Sequence, residues 1–339
     1  MFLKVLCVVV ILAGLLAAGL WWLAQVPVLA LAPETIRYGV TFSKFRADEL
    51  KIDWKETYDA LLDDLGVRRL RLVAHWPMVE PTEDTYDFTA LDYQMRRAEE
   101  VGAEVILAVG LRLPSWPECH VPDLAEELSS REKYDQFFQY VEAVIDRYKD
   151  SPALKWWQVE NEPFIIGFAF EQCGVTDADF LNVEIGFVQA HDPDHPVLLT
   201  ASGELGLWNG TWKRADVFGT TLYRHVYNAG LKRFIDYPTT PAFFRIKRKF
   251  TELTTGKPDT PAIIVELAAE PWPIKAIIDT PLSEQLERMN LEIFNDTVDF
   301  AAQTSFDEQY FWGAEWWYYL KTVHNDSSFW NRTKEFFHE

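Results

Sequence analysis

The stretch WWQVENEP at residues 156–163 decides how the rest of the chain is interpreted. Its apolar half predicts a buried strand, and its polar half ends in the carboxylate of Glu162. Pro163 cannot extend a ladder of hydrogen bonds, and it biases the residue before it toward extended geometry. The strand is therefore predicted to stop there, with Glu162 at its carboxyl-terminal edge. A Glu at that edge caps the next helix, pairs with a surface Arg, or takes part in catalysis.

Strand and helix patterns alternate along the chain on both sides of this stretch. Helical spacing predicts helices at 54–65, 89–101, 130–149, 177–190, 242–254 and 282–303, and a helical tail from 330. Short apolar runs predict seven further strands at 36–42, 68–75, 104–110, 197–200, 217–223, 262–266 and 308–314.

Eight strands separated by helices predict parallel pairing through right-handed crossovers, as in an α/β fold of the (β/α)8 TIM barrel type. A doubly wound open sheet is the alternative, but the first strand carries one glycine, Gly39, where a dinucleotide fold has a Gly-rich phosphate loop. No linker or short repeat marks a second domain. Residues 34–339 are therefore predicted to form one catalytic domain.

Composition excludes several classes of partner. The formal net charge is −20 and the pI is near 4.8, which disfavours binding to nucleic acid or to an anionic membrane surface. No CxxC or Cys/His ligand spacing predicts a zinc site, and no metal or other cofactor is expected. The catalytic domain is expected to be monomeric.

The first 33 residues predict a membrane segment and a tether. Residues 5–24 are uncharged and long enough to span a bilayer, and they close with Trp21-Trp22, which suits a membrane interface. We expect an uncleaved single-pass anchor in the cell membrane with the barrel outside the cytoplasm. The alternative is a secreted protein whose signal is cleaved after Val28-Leu29-Ala30.

Cysteine usage agrees with export. Cys7 lies in the apolar run, which leaves Cys119 and Cys173 in the exported part. The two follow predicted strands three and four, neighbours on one rim of the barrel, and an oxidising compartment favours their pairing. A Cys119–Cys173 disulfide is therefore predicted.

Polar and aromatic side chains collect at the predicted carboxyl ends of five strands, which is unusual for a purely structural scaffold. They are Arg71, His75 and Trp76 on strand two, Asn161 and Glu162 on strand four, Tyr223 on strand six, Glu266 on strand seven, and Glu315 with Trp316 after strand eight.

These residues resemble the retaining glycoside hydrolases of clan A, the (β/α)8 superfamily of cellulases and mannanases. Residues 66–76 followed by Val79-Glu80-Pro81 are similar to the second strand of the clan, 157–163 to the fourth, and 261–266 to the seventh. The resemblance implies that Glu162 is the acid/base, Glu266 the nucleophile, and Asn161 a contact of the sugar 2-hydroxyl. It assigns Arg71 and Tyr223 to the support of Glu266.

Retaining cleavage requires one ionised and one protonated carboxyl about 5 to 5.5 Å apart. Arg71 and Tyr223 are expected to keep Glu266 ionised, while apolar surroundings and the charge of Glu266 raise the pKa of Glu162. Glu160 and Glu270 depart from the pattern as additional carboxylates that could be mistaken for the catalytic pair.

Further contacts with a carbohydrate substrate are expected from side chains beside the βα loops. His75 is interpreted as a substrate contact rather than a metal ligand, and Trp116, Trp272 and Trp316 as surfaces that stack on sugar rings. The predicted function is hydrolysis of a β-linked oligo- or polysaccharide through a double displacement. A catalytically silent glycan-binding barrel and a transglycosylase with the same residues remain alternatives, and the sugar and the linkage stay open.

Overall fold

The computed structural model describes residues 9–15, 18–19, 35–125, 128–165, 177–228 and 230–337. The predicted anchor at 5–24 is described only at 9–15 and 18–19, which are helical, and the tether lies outside the described residues. No helix within the described ranges has the length and apolar character needed to cross a bilayer. The predicted transmembrane helix therefore receives no support from the structure.

Eight parallel strands close into a barrel, so the predicted (β/α)8 fold is confirmed. An antiparallel hairpin that the sequence did not predict, β7 with β8, follows the sixth barrel strand. The strands are β1 Arg37–Thr41, β2 Arg69–Val73, β3 Glu104–Val109, β4 Leu154–Val159, β5 Val197–Ala201, β6 Val217–Leu222, β7 His225–Asn228, β8 Arg233–Asp236, β9 Ala262–Ala268 and β10 Glu308–Trp312.

The helices form the outer layer around the barrel, and some of them lie within the loops at its rims. They are α1 Lys44–Glu49, α2 Trp54–Asp63, α3 Trp76–Val79, α4 Thr89–Val101, α5 Ser130–Tyr148, α6 Ala178–His191, α7 Asn209–Trp212, α8 Pro241–Thr255, α9 Leu282–Arg288, α10 Leu291–Ala302, α11 Ala314–Val323 and α12 Ser328–Lys334.

The single helix predicted at 282–303 is wrong, because the structure has two helices there. Asn290 adopts an extended conformation, and its side chain accepts hydrogen bonds from the backbone N–H groups of Glu292 and Ile293. An Asn in this role satisfies the orphan donors at the start of a helix. The Asn290 cap therefore starts a new helix at Leu291, although the helical spacing of apolar residues continues across it.

The interior of the barrel is filled by apolar side chains from several strands. Ile106, Leu198, Val217, Ile263 and Val265 form this cluster together with Tyr310. A larger apolar cluster packs the strands against the helices. The barrel is thus a packed core and not a pore, and chemistry is confined to its carboxyl-terminal rim.

The amino-terminal end of the barrel carries a buried ionic cluster. Glu308, the first residue of β10, forms ion pairs at 3.1 Å with Lys155 Nζ and with Arg37 Nη2. The Tyr310 hydroxyl donates a third bond of 2.7 Å to Glu308 Oε1. Two cations and one hydroxyl thus stabilise one buried carboxylate at this end.

Candidate active site

The turn that follows β4 carries Asn161 and Glu162 and is sharper than the sequence predicts. β4 ends at Val159, and Glu160 and Glu162 adopt left-handed backbone conformations with φ of 57° and 46°. The predicted extended geometry of Glu162 is therefore wrong. Left-handed conformations of residues other than glycine cost on the order of 1 kcal/mol each and persist only where neighbouring contacts enforce them.

Contacts with the end of β3 enforce this turn. The Glu160 carboxylate accepts the backbone N–H groups of Leu111 and Arg112 at 2.8 and 2.6 Å. The N–H of Asn161 donates in return to the Arg112 carbonyl at 2.6 Å. These bonds fix the turn by its backbone and leave the Asn161 and Glu162 side chains to face the barrel axis.

Glu266 on β9 accepts hydrogen bonds from two sides. Arg71 Nη1 donates to Oε1 at 2.6 Å, and the Tyr223 hydroxyl donates to Oε2 at 2.8 Å. Hydrogen bonds from a cation and a phenol stabilise a carboxylate and aim its oxygens. Both supporting residues are the ones that the sequence assigned to this role.

Arg71 is the hub of the site. It is fully buried, and its Nε donates to Gln158 Oε1 at 2.7 Å while its Nη2 donates to Asn161 Oδ1 at 2.9 Å. With the bond to Glu266, three nitrogens of the guanidinium are engaged by three different side chains. The planar group therefore fixes β2, β4 and β9 relative to one another.

Glu162 has a different environment from Glu266. Its backbone N–H donates to Thr200 Oγ1 at 2.8 Å, and its Oε1 accepts the hydroxyl of Thr221 at 3.0 Å. Burial, followed by the negative charges of Glu266 and Glu118, raises the pKa of Glu162 to about 8. Glu162 is thus protonated at neutral pH, as a general acid must be.

The carboxyl groups of Glu162 and Glu266 lie near each other at the carboxyl-terminal rim of the barrel. Thr221, which binds Glu162, pairs in register with Glu266 on the neighbouring strand. Adjacent strands are about 4.8 Å apart, so a group that contacts Thr221 also reaches the position beside Glu266. The side chains are 6% and 5% exposed, which leaves a narrow opening toward solvent.

Trp76 and Trp316 do not lie at the site, and their predicted contact with substrate is wrong. Both are completely buried. The indole N–H of Trp76 donates to Glu80 at 2.7 Å, and that of Trp316 donates to Gln285 at 2.8 Å. Each tryptophan lies in the first turn of a helix, whose inner face packs against the barrel wall.

Glu315 is also apart from the catalytic pair. Its Oε1 accepts the backbone N–H of Ser43 at 2.6 Å, and burial raises its pKa to about 8. The bond ties the loop after β1 to the helix after β10. Glu315 thus supports the rim and does not contact Glu162 or Glu266.

His75 lies beneath the rim in a cluster of rings. Its Nε2 is 2.9 Å from the Pro114 carbonyl, and its ring lies 4.1 Å from that of His120. Burial holds the pKa of His75 well below its usual value, so the imidazole is neutral. No group of His, Cys, Asp and Glu in the described part of the chain could hold a metal ion.

Trp116 and Trp272 are the other two tryptophans predicted to stack on a sugar. Trp116 is 52% exposed. Trp272 is half-buried, and its ring meets that of Tyr223 edge-on at 5.3 Å. Trp272 thus lies beside a residue that binds Glu266, and the stacking of both tryptophans on a sugar stays a prediction.

The two additional carboxylates have structural partners. Glu160 accepts backbone bonds, as described above. Glu270 pairs with Arg46 Nη2 at 2.7 Å and accepts the indole N–H of Trp312 at 3.0 Å. Neither replaces Glu266 as the carboxylate that Arg71 and Tyr223 hold.

Sequence reasoning missed Gln158, Thr200, Thr221 and the pair Arg112 and Glu118. Gln158, Thr200 and Thr221 are polar residues inside otherwise apolar strands, a signal that the sequence offers. Arg112 and Glu118 lie in the loop after β3, where no motif marks them.

Cys119 is disulfide-bonded. Its partner lies outside the described residues, and so does Cys173. The pairing of these two cysteines therefore stays a prediction.

Residues 51–182, less than half of the chain, match the family Glyco_hydro_42, described as beta-galactosidase. The beta-galactosidase LacZ of Heyndrickxia coagulans is 30% identical over 147 residues, which cover 38% of this chain and 22% of that protein. A probable mannan endo-1,4-beta-mannosidase F of Aspergillus flavus is 29% identical over 134 residues, or 36% of this chain and 26% of that protein. The resemblance to clan A glycoside hydrolases is confirmed.

Solved structures agree with this resemblance at the level of the fold. A GH5_18 protein of Bifidobacterium longum in complex with Manβ1-4GlcNAc superposes with a TM-score of 0.58 at 11% identity, covering 82% of this chain and 68% of that one. The matched part of this chain spans only about a fifth of the length of the curated beta-galactosidases, from 16% to 22%. What those whole proteins act on is therefore a matter for proposal.

Proposed function

We propose that this chain is a retaining β-glycoside hydrolase that cleaves O-glycosidic bonds of a β-linked oligo- or polysaccharide. The observation that carries the proposal is the difference between the environments of two neighbouring carboxyl groups. Glu266 is bound by Arg71 and Tyr223, whereas burial and the charge of Glu266 raise the pKa of Glu162 to about 8. A double displacement needs this division between an ionised and a protonated group.

In the first step Glu266 attacks the anomeric carbon while Glu162 protonates the departing glycosidic oxygen. The glycosidic C–O bond breaks, and a bond forms between the sugar and Glu266. In the second step Glu162, now ionised, removes a proton from water, and the resulting hydroxide displaces Glu266 from the sugar. Both carboxyls return to their starting protonation states.

Asn161 and Arg71 orient the sugar and the nucleophile in this scheme. Asn161 Oδ1 accepts bonds from Arg71 and from Thr200, which leaves its amide NH2 group to donate to the sugar 2-hydroxyl. Such a bond strengthens as positive charge develops at the anomeric carbon. The same contacts hold the sugar and the Glu266 carboxylate in a fixed position relative to each other.

β-Galactosides and β-mannosides are the substrates to examine first. Relatives of the matched segment are named beta-galactosidase and mannan endo-1,4-beta-mannosidase, and a structural neighbour binds Manβ1-4GlcNAc. A barrel that only binds glycans has no use for a protonated Glu162 beside an ionised Glu266. Transglycosylation differs only in the acceptor of the second step.

As part of the same proposal, the barrel lies outside the cytoplasmic membrane, tethered through residues 5–24. The apolar composition of that run supports this location, and so does the disulfide at Cys119, since such bonds persist in oxidising compartments. Fractionation of cells that express the full chain tests it. Recovery from the medium with a mature amino terminus beyond Ala30 would instead indicate a cleaved signal.

The stereochemistry of cleavage tests the enzymatic proposal. Proton NMR of an aryl β-glycoside during hydrolysis should show the β-anomer of the released sugar first, followed by slow mutarotation. An initial α-anomer would exclude the double displacement.

A further inference from the structure

A third acidic side chain, Glu118, lies at the rim beside the catalytic pair. It belongs to the loop after β3 and is 9% exposed. Burial, followed by the charges of Glu266 and Glu118, raises the pKa of Glu162. Burial, with a smaller contribution from the charge of Glu266, raises the pKa of Glu118 to about 7. The three carboxyls therefore lie within range of one another's electrostatic fields, although Glu118 has no part in the two-step cleavage.

The loop that carries Glu118 is fixed at several points. Arg112 and Cys119 form a β-bridge across it. The carbonyl of Glu118 accepts the N–H of Leu113 at 2.8 Å, and its own N–H donates to the Ser115 carbonyl at 2.8 Å. Glu118 has a left-handed φ of 67°, and Cys119 is disulfide-bonded. Such a loop presents the carboxyl in one place before substrate arrives.

The same loop is bonded to the turn that holds the acid/base. The backbone N–H and carbonyl of Arg112 bond to Glu160 and to Asn161, respectively, both at 2.6 Å. The side chain of Arg112 then reaches Glu118. Glu118 is thus connected to the Asn161–Glu162 turn through a single residue, and its position relative to the catalytic pair is defined.

The two oxygens of Glu118 have different environments. Arg112 Nε and Nη2 both donate to Oε2, at 2.9 and 2.7 Å. Within the described part of the chain, Oε1 accepts no hydrogen bond. Oε1 can therefore accept a further hydrogen bond, and a sugar hydroxyl is a suitable donor.

We propose that Glu118 is a specificity-determining residue whose Oε1 accepts a hydrogen bond from one hydroxyl of the sugar that reacts with Glu266. This inference rests on the proposed glycosidase function. Its role differs from that of Asn161, because Glu118 approaches from the β3 side of the rim. A carboxyl acceptor held in a fixed loop selects for a hydroxyl at one ring position and against an analogue that lacks it.

The test combines deletions on the protein and on the substrate. The parent compound is 4-nitrophenyl β-D-galactopyranoside or the corresponding mannopyranoside, whichever the wild type cleaves faster, with its 3-, 4- and 6-deoxy analogues. Loss of one hydroxyl should lower kcat/KM of the wild type roughly 5- to 100-fold, the range for a bond to a neutral or an ionised carboxyl. In Glu118→Ala the same deletion should cost less than about threefold, since the pair no longer interacts.

A second variant keeps the test decisive if the alanine variant folds poorly. In Glu118→Gln, Arg112 takes the amide oxygen, so the NH2 group stands where Oε1 stood and a donor replaces the acceptor. Selectivity for the hydroxyl should be lost here as well. Glu308→Gln is the matched control, because it removes a buried, ion-paired carboxylate at the opposite end of the barrel and should keep wild-type selectivity.

The outcomes separate this inference from the function on which it rests. Equal losses for wild type and Glu118→Ala at every ring position, or only a shifted pH profile, would overturn the role of Glu118 while leaving the glycosidase intact. If no aryl glycoside is cleaved, calorimetric titration with methyl β-D-galactoside, methyl β-D-mannoside and their deoxy forms applies the same criterion to Kd. Cleavage and binding both absent would overturn the two proposals together.

Discussion

Buried carboxyl groups have different binding partners at the two ends of the barrel. At the amino-terminal end, Lys155, Arg37 and the Tyr310 hydroxyl bind the buried carboxylate of Glu308. The same two cations also pair with the exposed carboxylates of Glu104 and Asp307. At the carboxyl-terminal end, Glu162 receives a bond from the neutral Thr221 and, among the described residues, none from a cation. A cation bound directly to a carboxylate favours its charged form, whereas burial beside other acids, without such a cation, favours the protonated form. The first arrangement supports the scaffold and the second supports acid catalysis.

The largest expected effect is the loss of activity when either catalytic carboxyl is changed. Glu266→Gln removes the nucleophile and Glu162→Gln removes the proton donor, so each should lower kcat on the order of 10⁴-fold or more. Glu308→Gln, the control at the other end, should leave kcat close to wild type. It should lower the free energy of unfolding by about 1.5 to 3 kcal/mol, because a buried charged acceptor is lost while Lys155 and Arg37 keep their pairs with Glu104 and Asp307. Steady-state kinetics and chemical unfolding of the three variants check this contrast, and comparable kinetic losses in all three would refute it.

A smaller loss is expected when one support of the nucleophile is removed. Tyr223→Phe deletes the hydroxyl that lies 2.8 Å from Glu266 Oε2 and keeps the ring against Trp272. A hydrogen bond to a charged group contributes about 1.5 to 3 kcal/mol, which corresponds to a roughly 10- to 100-fold lower kcat/KM. Kinetics on an aryl glycoside measure it, and unchanged kinetics would show that Tyr223 is not a support of Glu266.

The acid/base assignment predicts the alkaline side of the pH profile. Glu162 must carry a proton to act as an acid, and its pKa is raised to about 8. For substrates with poor leaving groups, kcat/KM should therefore fall above pH 8 by about tenfold per pH unit. A 2,4-dinitrophenyl glycoside needs no protonation on leaving and should lack this decline. A decline that begins near pH 5, the ordinary range of Glu, would contradict the assignment.

The mildest kinetic effect is expected at Glu270. This residue pairs with Arg46, which also pairs with Glu49. Glu270→Gln should therefore lower the free energy of unfolding by about 1.5 to 3 kcal/mol, because a buried cation loses one of its two carboxylate partners. Activity should change by less than about tenfold, since the Arg71–Glu266–Tyr223 contacts stay intact. Kinetics beside thermal unfolding distinguish the two carboxylates, and loss of activity in Glu270→Gln with retention in Glu266→Gln would reverse their roles.

The fold and the cluster of polar residues around Glu266 follow from local patterns that the sequence displays. Helix 89–101 agrees with its prediction, and strand 104–109 differs by one residue at its end. Arg71, Asn161 and Tyr223 meet around Glu266 because parallel strands bring their carboxyl ends to one rim. Strand ends are local features of the sequence, so the residues that lie there can be predicted without knowing the tertiary packing.

The features that the sequence could not predict depend on side-chain orientation and on tertiary contacts. Trp76 and Trp316 lie at the predicted rim positions but point into the layer between barrel and helices. The left-handed turn at Glu162 arises from bonds between the ends of β3 and β4, and the Arg112–Glu118 pair lies in a loop without a motif. Each outcome is set by contacts between segments that are distant in sequence.

Covalent trapping of the nucleophile tests the central claim most directly. A 2,4-dinitrophenyl 2-deoxy-2-fluoro-β-glycoside of the preferred sugar lets Glu266 attack but slows the release of the sugar–enzyme bond, so the adduct should accumulate. Mass spectrometry of the digested protein should find the sugar on the peptide that contains Glu266, with one dinitrophenolate released per chain. A sugar attached to Glu270, Glu160 or Glu118, or steady turnover without any adduct, would contradict the assignment of Glu266 as the nucleophile of a retaining glycosidase.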